Sequence, residues 1–234
     1  MRPVDKGESP YTSIEDYSEA LPYLEGAIGT YCSYCEFPIF HVPEIEHVCA
    51  KSKGGSLTDW DNLLLGCKYC NTRKAKKVTP DNVGDFLWPD KDNTALAYTY
   101  QGGTPKINQS ALEQIDPTGK RLSQAKNLFE LVRLDHVPTL GEKDRRHYAR
   151  NRAYELAVEA LNDWKKIKYN TPNNTPEQME PLKGQIIRNA QGQGFFSVWM
   201  TVFADEPDVL CALIEGFPGT NRSFYDEKYH PKLI

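Results

Sequence analysis

A chain of 234 residues, 39% hydrophobic and 11% aromatic, suits one large domain or two small ones and is too apolar to be disordered. Its 28 basic and 32 acidic side chains leave a formal charge of −4, which speaks against a protein that coats itself in nucleic acid. The longest nearly apolar run, residues 195–204, is about half of what a membrane-spanning helix needs. The opening MRPVDKGESP has no apolar stretch after its charges, so no secretory signal is read and a cytoplasmic location is expected.

Residues 13–29 read as a helix. Ser13 with Asp16 resembles a capping box, Ile14, Tyr17, Leu21 and Leu24 recur at helical spacing, and Gly29 can end the stretch. Two strand candidates follow at 43–48 and 62–65, joined by the polar, glycine-bearing loop AKSKGGSLTDWD. The segment KYCNTRKAKK carries no breaker and predicts a short helix with a basic face, ending before Pro80. Residues 94–100 with Gln101-Gly102-Gly103 suggest a hairpin.

Helical patterning then takes over, at 120–134 and at 143–168. The second carries Ala149, Ala153, Leu156, Ala160, Trp164 and Ile167 on one stripe. The stretch TPNNTP, residues 171–176, breaks it, and two more helices are expected near 177–190 and 195–215. A Pro- and Asp-rich stretch at 80–92 divides the chain into 1–90 and a mainly helical 91–234. The acidic and aromatic tail, with Trp199, Phe217 and Phe224, is a candidate surface for docking a partner. The fold class read from this order is α+β, mostly helical.

Four of the six cysteines form two C-x-x-C pairs, Cys32/Cys35 and Cys67/Cys70, separated by 31 residues. In a cytoplasmic chain such pairs read as metal ligands rather than disulfides, and four thiolates close a tetrahedral shell around Zn2+. A full thiolate shell leaves no position for water, so this zinc is structural. Cys49 and Cys211 read as small buried apolar residues.

Charge is unevenly spread. Residues 51–80 sum to +5 and 121–170 to +4, against −7 over 1–50, −3 over 81–120 and −3 over 171–234. Two basic blocks in an acidic frame suit a protein that meets phosphate at one face. In the first block, Arg73, Lys74, Lys76 and Lys77 are candidate phosphate contacts. The second, with Lys143, Arg145, Arg146, Arg150 and Arg152, reads equally as a nucleic-acid contact or a solvated helix face.

Inside the cysteine pairs sit Glu46-His47, then Asn62, then Asn71 directly after the last cysteine. The strings YCSYCE and EIEHVCAKSKGGSLTDWDNLLLGCKYCNTRK resemble the HNH endonucleases over residues 32–74. That resemblance implies a two-stranded hairpin and helix gripping one divalent cation. It implies His47 as general base, Glu46 and Asn71 as ligands of a catalytic Mg2+ or Mn2+, and Asn62 as the residue that holds the loop and orients His47. The residue types suit the chemistry: a neutral imidazole accepts a proton near pH 7, and a hard cation needs few protein oxygens. The family more often carries Asp where Glu46 stands, and Asn71 could instead cap the following helix.

The opening MRPV, the YCSYCE knuckle, EIEH, NLLLGC and FLWPD further resemble the PtuB-like HNH subunits of Septu-type anti-phage systems. This closer resemblance fades after about residue 90 and implies an SMC/ABC-like ATPase partner and a nucleic-acid substrate, with DNA favoured over RNA. Rival readings are a non-catalytic zinc module that binds nucleic acid or protein, a free-standing restriction-type nuclease, and an RNA-cleaving enzyme with the same site.

Overall fold

The N-terminal helix starts later than its apolar spacing predicts. In the computed structural model, which describes residues 1–170 and 176–234, Asp16 rather than Ser13 is the cap. Its carboxylate accepts from Ser18 N at 2.8 Å, and Glu19 accepts from Asp16 N at 2.8 Å. A 3-10 turn, Tyr17–Ala20, leads from that cap into α1, Leu21–Ile28. Gly29 ends α1 at a φ of 72°, which glycine adopts without a Cβ penalty.

Two four-residue strands follow, β1 (Glu44–His47) and β2 (Leu63–Gly66). They pair antiparallel, with Glu44 opposite Gly66 and His47 opposite Leu63. Every residue of β2 is buried, as expected of a strand covered on both faces, and Ser33 N donates to Leu65 O at 2.8 Å to bring the first cysteine pair against it. The connection folds back through 3-10 turns at Lys51–Lys53 and Trp60–Asn62. At its tightest point, a Cβ on Gly55 would stand 2.0 Å from the Cys49 carbonyl oxygen. Gly55→Ala therefore has to push main chain apart, and a loss of about 1–3 kcal/mol is expected, read as a lower Tm. Helix α2, Lys68–Lys74, completes a strand–strand–helix unit and stops at Ala75, whose φ is 47°.

Beyond this unit, Asn93 Oδ1 accepts from Leu96 N at 3.2 Å and draws Thr94–Ala97 into a helical turn, α3. The expected hairpin therefore begins only at β3, Tyr98–Gln101, and returns through Gly102 and Gly103 into β4, Thr104–Ile107. Helices α4 (Gln109–Ile115), α5 (Lys120–Leu131), α6 (Arg146–Asn170), α7 (Pro176–Gln193), α8 (Phe196–Val202) and α9 (Pro207–Gly216) follow. The single helix expected at 195–215 is two, because the chain turns at 203–206 and Pro207 starts a new one. The expected breaker at 171–175 lies outside the described residues. Ile167 is exposed, so the apolar stripe of α6 ends at Trp164.

One buried cluster runs from Val4 and Leu24 through Leu63, Leu64 and Leu65 to Trp88, Leu128 and Leu134. It crosses the boundary expected near residue 90 without a break. A second cluster joins α6 to α9 around Trp164, Ile186, Phe203 and Leu213. Trp199 and Phe217, expected on a docking surface, are fully buried in it, and Phe224 is partly buried against it. Among the described residues no helix is long and apolar enough to cross a membrane.

Candidate active site

The Sγ atoms of Cys32, Cys35, Cys67 and Cys70 all lie within 4.8 Å of one another, and all four residues are buried. A zinc ion about 2.3 Å from each sulfur of a tetrahedron would set them about 3.8 Å apart, and Cys35 and Cys67 stand at 3.6 Å. The four-cysteine set fits structural zinc. Arg146, at the start of α6, donates Nη1–H to Cys70 Sγ at 3.2 Å and is held by Asp144 at 2.8 Å. Burial disfavours its charge, but Cys70 and Asp144 outweigh that and raise the guanidinium pKa. Asp144 also binds Arg73 at 3.1 Å, so the segment leading into α6 reaches α2 while Arg146 reaches the second cysteine pair.

A cleft of about 340 Å³ is lined by Tyr17, Glu46, His47, Lys51, Asn71 and Lys76, among others. His47 ends β1 at its floor. The Leu57 carbonyl, 2.9 Å from His47 Nε2, can only accept, so Nε2 carries the proton and Nδ1 the lone pair. Nδ1 has no hydrogen-bond partner among the described residues. Burial lowers the imidazole pKa; the Leu57 bond opposes this, while Lys51 and Lys74 add to it. His47 is therefore neutral near pH 7, a state suited to accepting a proton.

Asn62 ties the loop that carries Leu57. Its Oδ1 accepts from Cys49 N at 2.7 Å, and its Nδ2 donates to Cys49 O at 3.1 Å and Ser56 O at 2.7 Å. These bonds join the start of the β1–β2 connection to its middle, one residue from the carbonyl that orients His47.

Glu46 and Asn71 meet across Gly66. A Cβ placed there would touch Glu46 Cβ at 3.2 Å and Asn71 Cβ at 3.7 Å, so the glycine keeps open the space between the two side chains. Asn71 Nδ2 donates to Glu44 Oε2 at 2.7 Å. A carboxylate only accepts, so this bond fixes the amide's orientation and turns Oδ1 away from Glu44. The Asn71 amide oxygen suits a hard divalent cation, whereas Glu46 would have to trade its bonds to Lys74 and Tyr34 for one.

Glu46 is 2% exposed, and burial raises its carboxyl pKa against the pull of Lys74 and Tyr34. Lys74 Nζ lies 2.6 Å from its Oε1, and the Tyr34 hydroxyl donates to its Oε2. Lys74 also donates to His47 O at 2.7 Å and is fully buried. Here the structure corrects the reading of Lys74 as a surface phosphate contact: its ammonium is spent inside, neutralising Glu46. Lys74→Met leaves a buried carboxylate without its cation and is expected to cost about 3–5 kcal/mol in denaturant unfolding, part of which Glu46→Gln restores. Of its neighbours, Arg73 is engaged with Asp144, while Lys76 and Lys77 are exposed. In the second basic block Arg146 and Arg150 are buried, which removes them from any phosphate-facing surface.

With this geometry in place, one segment of the chain also has a counterpart among protein families. Residues 32–77 match the HNH endonuclease family. The match supports the HNH family, and with it a nuclease. Neither the curated proteins nor the solved structures yield a match to the chain.

Within and beside the HNH segment, several contributors escaped the sequence reading. Glu44 was signalled, since EIE alternation places it on the same strand face as Glu46. Lys74 lies one helical turn after Asn71, a spacing that puts both on one face of α2. Tyr34, Leu57 O and Tyr17 reach the site from connections whose paths no periodicity describes.

Proposed function

We propose that the chain is a metal-dependent HNH endonuclease that hydrolyses phosphodiester bonds of nucleic acid, with DNA favoured over RNA. The observation that carries this reading is His47, its Nε2 tied to Leu57 and its Nδ1 unpaired, in one cleft with Asn71 and Glu46.

In this mechanism His47 Nδ1 takes a proton from the attacking water as its oxygen bonds to phosphorus, and the bond to the 3′ oxygen breaks. Asn62 holds the loop so that Leu57 keeps the imidazole in the required tautomer. Glu46 and Asn71 Oδ1 would hold a magnesium or manganese ion, and Glu44 orients Asn71 for that task. When bound, that ion stabilises charge on the phosphoryl and leaving oxygens. Zinc held by the four cysteines would have a full thiolate shell and a structural role only.

The wider setting is a cytoplasmic Septu-type anti-phage complex in which an SMC/ABC-like ATPase holds the nuclease. The strings that resemble the PtuB-like subunits support it, and Arg2, Tyr34 and Trp88 within them are all buried parts of the fold. Incubating the purified chain with plasmid DNA and with RNA, each with magnesium, manganese or a chelator, tests the chemistry. Cleavage that the chelator abolishes is expected, and no cleavage of either polymer with either ion overturns the reading. Recovery of an ATPase with the tagged chain from its native cells tests the setting.

A further inference from the structure

The cleft is built from three separate pieces of chain, one of them outside the HNH segment. Tyr17 belongs to the 3-10 turn before α1. Its ring meets the His47 imidazole edge-on, with 5.0 Å between centroids and 70° between planes. Lys51, from the turn after β1, sets its ammonium 4.2 Å from the Tyr17 centroid. Lys76, beyond the end of α2, lines the same cleft. Both lysines are exposed, and neither forms an ion pair among the described residues.

We propose that Lys51 and Lys76 grip the backbone phosphates flanking the one that is cut, and that Tyr17 is a positioning residue that holds His47 and Lys51 in place. This rests on the nuclease reading and adds a substrate requirement: a diester with phosphate neighbours, hence a polynucleotide rather than an isolated phosphodiester. The two ammoniums reach the cleft from the β1–β2 connection and from the segment after α2, with His47 and Asn71 in the same cleft. A polyanionic strand laid along it meets a cation from each of these segments. A cation held over a half-buried aromatic ring is attracted strongly enough to favour one position of the Lys51 arm and weakly enough to yield to a phosphate. Pre-ordering the arm lowers the cost of gripping the strand. The Tyr17 hydroxyl has no hydrogen-bond partner among the described residues; its ring makes both contacts, so phenylalanine should serve equally.

Steady-state cleavage of an oligonucleotide and of bis(p-nitrophenyl) phosphate, both with magnesium, separates the roles. Lys51→Ala and Lys76→Ala should each raise KM for the oligonucleotide about tenfold and flatten its salt dependence by about one unit of slope. Both should harm the small diester far less, because it has no flanking phosphate to lose. Tyr17→Ala should lower kcat on both substrates, and Tyr17→Phe should retain both activities. Lys106→Ala, an exposed charge on β4, serves as the control. Lysine variants that keep the wild-type salt slope, or that damage both substrates equally, overturn this inference while the nuclease reading stands. A wild-type chain inert toward both substrates overturns the two together.

Discussion

Stripping the zinc, or replacing Cys67 by serine, is expected to unfold the strand–strand–helix unit. Structural zinc contributes about 10–16 kcal/mol of apparent binding energy near neutral pH, which rivals or exceeds the 5–15 kcal/mol that holds a whole domain together. Here the unit cannot absorb the loss. Its strands are four residues each, α2 is a single seven-residue helix, and Cys67, one of the four cysteines that would hold the zinc, also caps that helix. The apolar contacts of Leu63, Leu64 and Leu65 belong to a cluster extending to Leu134, so the damage should spread beyond the knuckle. Elemental analysis should find about one zinc per chain, and chelation should abolish a cooperative thermal transition seen by circular dichroism. A metal-free chain with an unchanged Tm would refute the structural role.

Replacing His47 with alanine is expected to lower cleavage by roughly 10²–10⁴, the usual worth of a general base, while leaving zinc content and fold intact. The separation is feasible because the imidazole's contacts are few: one bond to Leu57 O and one edge-on contact with Tyr17. Burial lowers the imidazole pKa from its ordinary 6.5, and the active form is the neutral one. The wild-type rate should therefore hold as pH falls toward 6.5 and decline only below it, and the alanine variant should lack that limb. Wild-type cleavage by His47→Ala would remove the base from the mechanism.

The cysteines could be read from the chain because ligand spacing is local: each C-x-x-C turn presents two sulfurs whatever lies between the pairs. The strands around Glu46 and Leu64 were legible for the same reason, since alternation and a glycine-bearing loop need only near neighbours. What failed to show was anything decided by packing across the chain. Lys74 follows three other basic or polar residues of α2 and looks like one more solvated charge; only the fold reveals that Glu46 faces it. The predicted cap at Ser13 lost to Asp16 because Glu19 stands three residues after Asp16 and closes a full reciprocal box. Trp199 and Phe217 looked like spare aromatics, yet the turn after α8 folds α9 back and encloses both. In the candidate cleft, Glu46, His47 and Asn71 could be singled out from the sequence, and the hydrogen bonds that orient them could not.

The contact between Arg146 and the Cys70 sulfur bears on how long the metal stays put. Four thiolates around a dication carry an excess of two negative charges, which makes their sulfurs attractive to peroxide and to alkylating electrophiles. A buried guanidinium donating to Cys70 withdraws electron density from that sulfur and physically occupies one approach to it. Because Asp144 and the carbonyl of Val132 hold the same guanidinium, it cannot swing aside without breaking several bonds. With zinc bound, the helix that begins at Arg146 would shield the Cys70 sulfur from oxidants, and lifting it would open that approach.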